Sequence, residues 1–184
     1  MTDDRERIEA ALRESVRTTD AYLTEIASHL IVAGGKRLRP VLAVAAAQVG
    51  SAKGVSDDVI QGAIACELVH LGSLYHDDVM DESPTRRGVE TVNAKWGNLQ
   101  AIVAGDFLLA RASEIAASLG NEVAGLLART IGRLCEGQVE ELPYLRPQSH
   151  GAVVSREHRG QDGLALCNLG AHWLAHRRAS ARCY

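Results

Sequence analysis

The segment Leu68-Val69-His70-Leu71-Gly72-Ser73-Leu74-Tyr75-His76-Asp77-Asp78-Val79-Met80-Asp81 ends an apolar run with three closely spaced carboxylates. On a helix at about 100° per residue, His70, Asp77 and Asp81 fall within about 40° of one another. Three ionisable groups then share one stripe. Carboxylates crowded at a helix C-terminus repel each other and meet the negative end of the helix dipole, so stability gives no reason for them. A hard divalent cation does, because it takes oxygen ligands and neutralises the charge. Mg²⁺ in particular uses one or two carboxylates and completes its shell with water and substrate phosphates. Taken alone, a DDxxD string reads more readily as an acidic helix end in water than as a metal site.

Two basic segments bear on that choice. Arg86-Arg87-Gly88 follows within a short turn, and Gly34-Gly35-Lys36-Arg37-Leu38-Arg39-Pro40 precedes an apolar stretch. Flexible glycines expose backbone N–H groups, and arginine forks and lysine charges suit a diphosphate. Each segment singly reads as a solvated turn. All three together describe a pocket for metal-bound diphosphates, with His70 as a further anion contact. His76 adjoins Asp77 but points elsewhere on the helix and reads as structural. Asp106, within the apolar run Ala101 to Ala110, reads as a buried acid that needs a partner, either the basic loop or a helix break. Trp96, Phe107 and Tyr22 read as core.

The elements that must carry these residues are helical. Ile8, Ala11, Leu12, Ser15 and Val16 recur at helical spacing within 3–19. Asp20 is a fitting N-cap for a helix through Ile31. Val41 to Val49 is apolar all round and predicts a buried helix. Ser56-Asp57-Asp58 open a long helix to about Asp81, which Pro84 and Gly88 stop. Further helices are expected over 91–98, 99–119 and 121–142, with no convincing strand. The expected fold class is all-α.

Composition fits one ordinary globular domain. The chain has 184 residues, 46% of them hydrophobic and 23% charged, which excludes a disordered chain. The formal net charge of -3 argues against a general nucleic-acid binder. No apolar run reaches the length of a membrane span, and the polar start Met1-Thr2-Asp3-Asp4-Arg5 is unlike a signal peptide. Cys66, Cys135, Cys167 and Cys183 have no metal-like spacing and read as buried free thiols in a reducing cytoplasm.

On these motifs the chain resembles the trans-polyprenyl diphosphate synthase family. GGKRLRP at 34–40, LVHLGSLYHDDVMDESPTRRG at 68–88 and Gly137-Gln138 occur in the family's order, and the resemblance covers about 1–142. It implies an antiparallel helical bundle of the isoprenoid synthase type around a deep cavity, as a homodimer. It further implies a prenyltransferase of isoprenoid biosynthesis that joins an allylic diphosphate to isopentenyl diphosphate head-to-tail, with Mg²⁺ as cofactor. Carried over by position, Asp77 and Asp81 ligate Mg²⁺ with Asp78 in support, and Arg86 contacts the allylic diphosphate. Lys36, Arg39, His70 and Arg87 contact isopentenyl diphosphate. Gly72 and Ser73, lacking bulk, leave the floor below the diphosphate open and set product length, while Tyr75 points away. A terpene cyclase also uses an aspartate-rich helix but has no use for the second diphosphate pocket.

The sequence departs from the family after residue 142. No second DDxxD follows residue 81, so the expected bundle is incomplete at its C-terminus, with 1–147 as the synthase portion. The alternative reading is a non-catalytic helical subunit, or a degenerate remnant, that associates with a complete synthase. Residues 148–184 hold five Arg, no Lys and two acids, together with four of the seven His, without sustained periodicity. Shifted one base downstream, Gly160-Gln161-Asp162-Gly163 can encode Gly-Lys-Thr-Gly, a pair of residues the family places about there. The tail is therefore expected to be a frameshifted reading that packs poorly and leaves apolar surface exposed.

Overall fold

A computed structural model describes residues 2–50 and 55–141. Its helices are α1 (Thr2–Ser15), α2 (Ala21–Val32), α3 (Leu38–Gly50), α4 (Asp57–Met80), α5 (Val92–Trp96), α6 (Asn98–Ser118) and α7 (Asn121–Glu141). Two short strands, β1 (Thr85–Arg86) and β2 (Val89–Glu90), lie between α4 and α5. The all-α expectation holds, and the strands are an addition to it. They form an antiparallel hairpin pairing Thr85 with Glu90 and Arg86 with Val89. Arg87 (φ 55°) and Gly88 (φ 79°) make its two-residue loop, both left-handed as a type I′ turn requires. Two-residue strands are too short for alternation to announce them.

The helix ends follow local chemistry. Asp20 caps α2 by accepting from the N–H groups of Tyr22 (2.8 Å) and Leu23 (3.1 Å). The first helix stops at Ser15, earlier than its periodicity suggests. Thr18 Oγ1 there bonds both the N–H and the carbonyl of Asp20, giving the backbone a turn in place of another helical one. Thr91 caps α5 by accepting from Ala94 N.

The centre of the bundle is α4, buried along most of its length and packed against α1, α3, α5 and α6. Its most extensive contact is with α6, where Gly72 is buried at the crossing. A Cβ on Gly72 would stand 3.0 Å from Gly105 O and 3.2 Å from Leu109 Cγ. The small residues Ala101, Ala104, Gly105, Ala112 and Ala116 on α6 permit that close approach. Tyr75 ties α2 to α4, its hydroxyl donating to Ile26 O at 2.8 Å within a fully buried contact.

Several expectations about burial are corrected. α3 is apolar all round yet only one side is covered: Val44 and Ala47 are buried, while Leu38, Leu42 and Val49 are exposed. It packs chiefly on α4, which covers one side of it. Tyr22 is exposed because it sits in the first turn of α2, beside the cap. Cys66 is buried, and burial pushes its thiol up to about 12, but Cys135 is exposed on α7. Cys167, Cys183, the composition shift at 148 and the frame argument all lie outside the described residues. No helix among the described residues is long and apolar enough to cross a membrane.

Candidate functional site

Three chain segments converge at the C-terminal end of α4. The helix carries His70, Asp77 and Asp78 with Asp81 as its C-cap, the hairpin carries Arg86 and Arg87, the loop before α3 carries Lys36 and Arg37, and the first turn of α3 carries Arg39. The carboxylates divide by side. Asp77 is half-buried and Asp81 exposed, one turn apart on the stripe with His70, whereas Asp78 is turned inward and only 1% exposed. Asp78 Oδ1 accepts from Arg86 Nε at 2.6 Å, and its Oδ2 is buried with no partner. Asn93 Nδ2 donates to Asp78 O (3.1 Å) and Ser83 O (3.3 Å), and Thr91 Oγ1 donates to Ser83 O (2.6 Å). The hairpin is thus sewn to the end of the helix, and that seam sets where the arginines stand.

The electrostatics are unbalanced in two ways. Burial raises Asp77 above the usual carboxylate range, and Asp81 and Asp78 add to the rise against the opposing pull of Arg86. Burial also raises Asp78, held back by its bond to Arg86. On the other side, His70 is pulled down to about 3, first by burial and then by the charges of Arg39, Arg87, Arg86 and Arg37. Arg87 is itself lowered by burial and by Arg37. Arg87 Nη1 donates to Leu30 O (3.2 Å) and Gly34 O (2.5 Å), which fixes the hairpin against the basic loop.

Among the described residues no group of three or more His, Cys, Asp or Glu forms a ready metal cage. The donor set still fits a divalent cation of the Mg²⁺ type. It offers the carboxylates of Asp77 and Asp81 one helical turn apart, the first half-buried and the second exposed. Asp77 and Asp81 would hold such an ion, leaving its remaining positions to water and a phosphate.

Other residues sort differently from their sequence reading. Lys36 is exposed and Arg39 half-buried, but Arg37 between them is fully buried, with Glu9 and Glu67 as partners. Neither acid is marked by the motifs, although Glu67 lies one turn before His70. Gly72 does not share the surface of Ser73, being turned into α6. Ser73 is half-buried on the stripe with His70 and Asp77, and its hydroxyl donates to His70 O at 2.9 Å. Asp106 is exposed, contrary to expectation, and pairs with His76 (3.5 Å) instead of the basic loop. His76 lies over Gly105, where a Cβ would come within 2.4 Å of its Nε2, so that glycine makes room for the ring.

A helical bundle whose central helix ends in closely spaced carboxylates beside a basic hairpin has the isoprenoid synthase class of fold. The chain belongs to the Polyprenyl synthetase family, whose pattern matches residues 20–158. It is 44% identical to the nonaprenyl diphosphate synthase of Mycobacterium tuberculosis over 135 residues, 73% of this chain and 40% of that protein. It is 42% identical to heptaprenyl diphosphate synthase component 2 of Geobacillus stearothermophilus over 176 residues, 93% of this chain and 54% of that protein. The heptaprenyl diphosphate synthase structure from Staphylococcus aureus matches with a TM-score of 0.72 at 34% identity, covering 76% of this chain and 44% of that one. A polyprenyl synthase of Caulobacter crescentus, solved with calcium and isoprenyl diphosphate, matches with a TM-score of 0.72 at 36% identity, covering 77% and 43%. The chain spans about half the length of these relatives. Both the family match and the Geobacillus alignment reach past residue 147, so the likeness does not stop where the charge balance changes.

Proposed function

We propose that this chain carries the allylic metal helix and both basic segments of a prenyltransferase that joins an allylic diphosphate to isopentenyl diphosphate. The single observation that carries this reading is the placing of the hairpin, where Arg86 bonds to Asp78 and Arg87 to Gly34 O, which sets both basic segments beside the helix that carries His70, Asp77 and Asp81. In this reading Lys36, Arg39, His70 and Arg87 hold isopentenyl diphosphate, and Arg86 faces the allylic diphosphate from its anchor on Asp78. Mg²⁺ held by Asp77 and Asp81 would neutralise the allylic diphosphate and so assist its departure. Arg86 stabilises the same leaving charge, and the orienting side chains bring the double bond of isopentenyl diphosphate to the allylic carbon. The proton lost afterwards goes to the released diphosphate, and no protein nucleophile is required. Ser73, small and on the stripe of Asp77, leaves room for a growing apolar chain and is the length-setting position of the pair with Gly72.

A second reading is supported by the relatives named as component 2 of a heptaprenyl diphosphate synthase. Here the chain is a helical subunit that joins a further copy or a complete synthase through exposed apolar side chains such as Leu99, Ile102 and Val103 on α6. Calorimetry separates the pockets, and a turnover assay separates the readings. Asp77→Ala should abolish Mg²⁺-dependent binding of an allylic diphosphate, whereas Lys36→Ala should weaken isopentenyl diphosphate alone. Equal indifference of both ligands to both substitutions would remove the pocket assignment. Labelled isopentenyl diphosphate incorporated by the chain alone supports the transferase, and incorporation only on mixing with a full-length relative supports the subunit.

A further inference from the structure

The basic loop is held from within by a side chain that the diphosphate pocket itself does not use. Arg37 stands between Lys36 and Arg39 in sequence, yet its guanidinium is fully buried. Its Nε donates to Glu9 Oε1 on α1 at 2.7 Å and its Nη2 to Glu9 Oε2 at 3.4 Å. Nη1 donates to Glu67 Oε1 on α4 at 3.3 Å, and Nη2 also donates to Ile31 O in the last turn of α2 at 2.9 Å. One guanidinium therefore fastens three helices to the residue that opens a fourth, since Arg37 O accepts the first bond of α3 from Val41 N. The backbone of Arg37 is left-handed, with φ 50°, a conformation that a side chain other than glycine keeps only when its surroundings impose it. Gly35 lies beneath two guanidiniums at once. A Cβ there would stand 2.9 Å from Arg87 Nη1 and 3.1 Å from Arg37 Nη1.

A buried ion pair is a poor choice if the only requirement is to fill a core. Apolar side chains of similar volume are commonly as stable, because they avoid desolvating two charges. What a planar fork adds is direction. We infer that Arg37 is a positioning residue for the isopentenyl diphosphate pocket. Its fork on Glu9 and Glu67 imposes the loop conformation that turns Lys36 and Arg39 out of the core. The inference rests on the diphosphate reading above and adds to it the device that shapes the pocket.

Two variants and two readouts test it. Arg37→Lys keeps the charge but loses the fork, and the pair Arg37→Met with Glu67→Gln removes both buried charges together, which protects the fold. Amide hydrogen exchange on the chain alone reads the loop, and calorimetry with isopentenyl diphosphate and with an allylic diphosphate plus Mg²⁺ reads the pockets. In both variants, exchange of the amides of residues 34–39 should quicken and isopentenyl diphosphate affinity should fall, each by about tenfold, the scale of a lost charged hydrogen bond. Exchange in α6 and affinity for the allylic diphosphate should stay within about twofold. Uniformly faster exchange with equal loss of both ligands would mean a merely structural arginine and overturn the inference. Unchanged exchange and unchanged binding would overturn it as well. If the unaltered chain binds no isopentenyl diphosphate, the diphosphate reading fails instead, and the exchange rates alone then decide whether Arg37 sets the loop.

Discussion

Arg86 and Asp78 meet across the turn that ends α4, with Arg86 Nε 2.6 Å from Asp78 Oδ1 and the carboxylate sealed from solvent. The neighbouring Asp81 is exposed. The three aspartates of one short motif thus differ in place: Asp78 anchors an arginine from inside, Asp77 is half-buried and Asp81 is exposed. The partnership also explains how a charged residue next to Asp77 can be buried at all, since a buried carboxylate needs a paired cation.

Asp78→Ala should therefore destabilise the chain by about 2–3 kcal/mol, below the range for fully buried pairs because Arg86 is partly exposed. Asp81→Ala should stay within about 0.5 kcal/mol of the unaltered chain, as exposed positions do. Urea denaturation of the two variants measures the difference. Equal effects would contradict the inward and outward assignment.

Gly72 and Ser73 are adjacent but should respond differently to replacement by alanine. Gly72→Ala places a methyl against Gly105 O and Leu109 and should cost about 1–2 kcal/mol despite the better helix propensity of alanine. Ser73→Ala loses only a local bond to His70 O and should be nearly neutral. Thermal melts of both proteins test this, and a neutral Gly72→Ala would show that the α4–α6 crossing is looser than described.

His70 supplies a pH dependence whose sign follows from its neutral state. Its proton is bound at an ordinary 6.5 in the unfolded chain but only near 3 in the folded one. Between those values the unfolded chain holds more protons, so stability rises with pH across the window and is lost as pH falls through it. His70→Gln should flatten that part of the stability curve. Stability curves of the two proteins with matching slopes between pH 4 and 6 would contradict a buried, uncharged imidazole at His70.

Tyr75 anchors α2 to α4 through its hydroxyl, which donates to Ile26 O and accepts from Leu30 N at 3.4 Å. Tyr75→Phe should cost about 1–2 kcal/mol, because a buried carbonyl loses its donor. Isopentenyl diphosphate binding should be unaffected, since the ring lies on the side of α4 away from Asp77. A calorimetric loss of that ligand in the folded variant would argue that α2 reaches the pocket.

Much of this was legible in the residues alone. Asp20 announces the start of α2, and Pro84 with Gly88 forces an end to α4, because capping and backbone restriction act over a few residues. The common stripe of His70, Asp77 and Asp81 follows from helical geometry by itself. The family motifs at 34–40 and 68–88 were readable for the same reason, each being contiguous along the chain.

What the sequence could not decide are the contacts between distant segments. Nothing in GGKRLRP distinguishes Arg37 from Arg39, yet the first is sealed against Glu9 and Glu67 while the second flanks His70. An apolar string such as Val41–Val49 is compatible with burial on every side, and only the placing of α4 against one face leaves Leu42 and Val49 exposed. The exposure of Asp106 and Tyr22 is set by packing in the same way. Composition and period determine that a helix forms and which residues share its faces. Which face is covered, and which charge is paired, depends on the partner that packing brings to it.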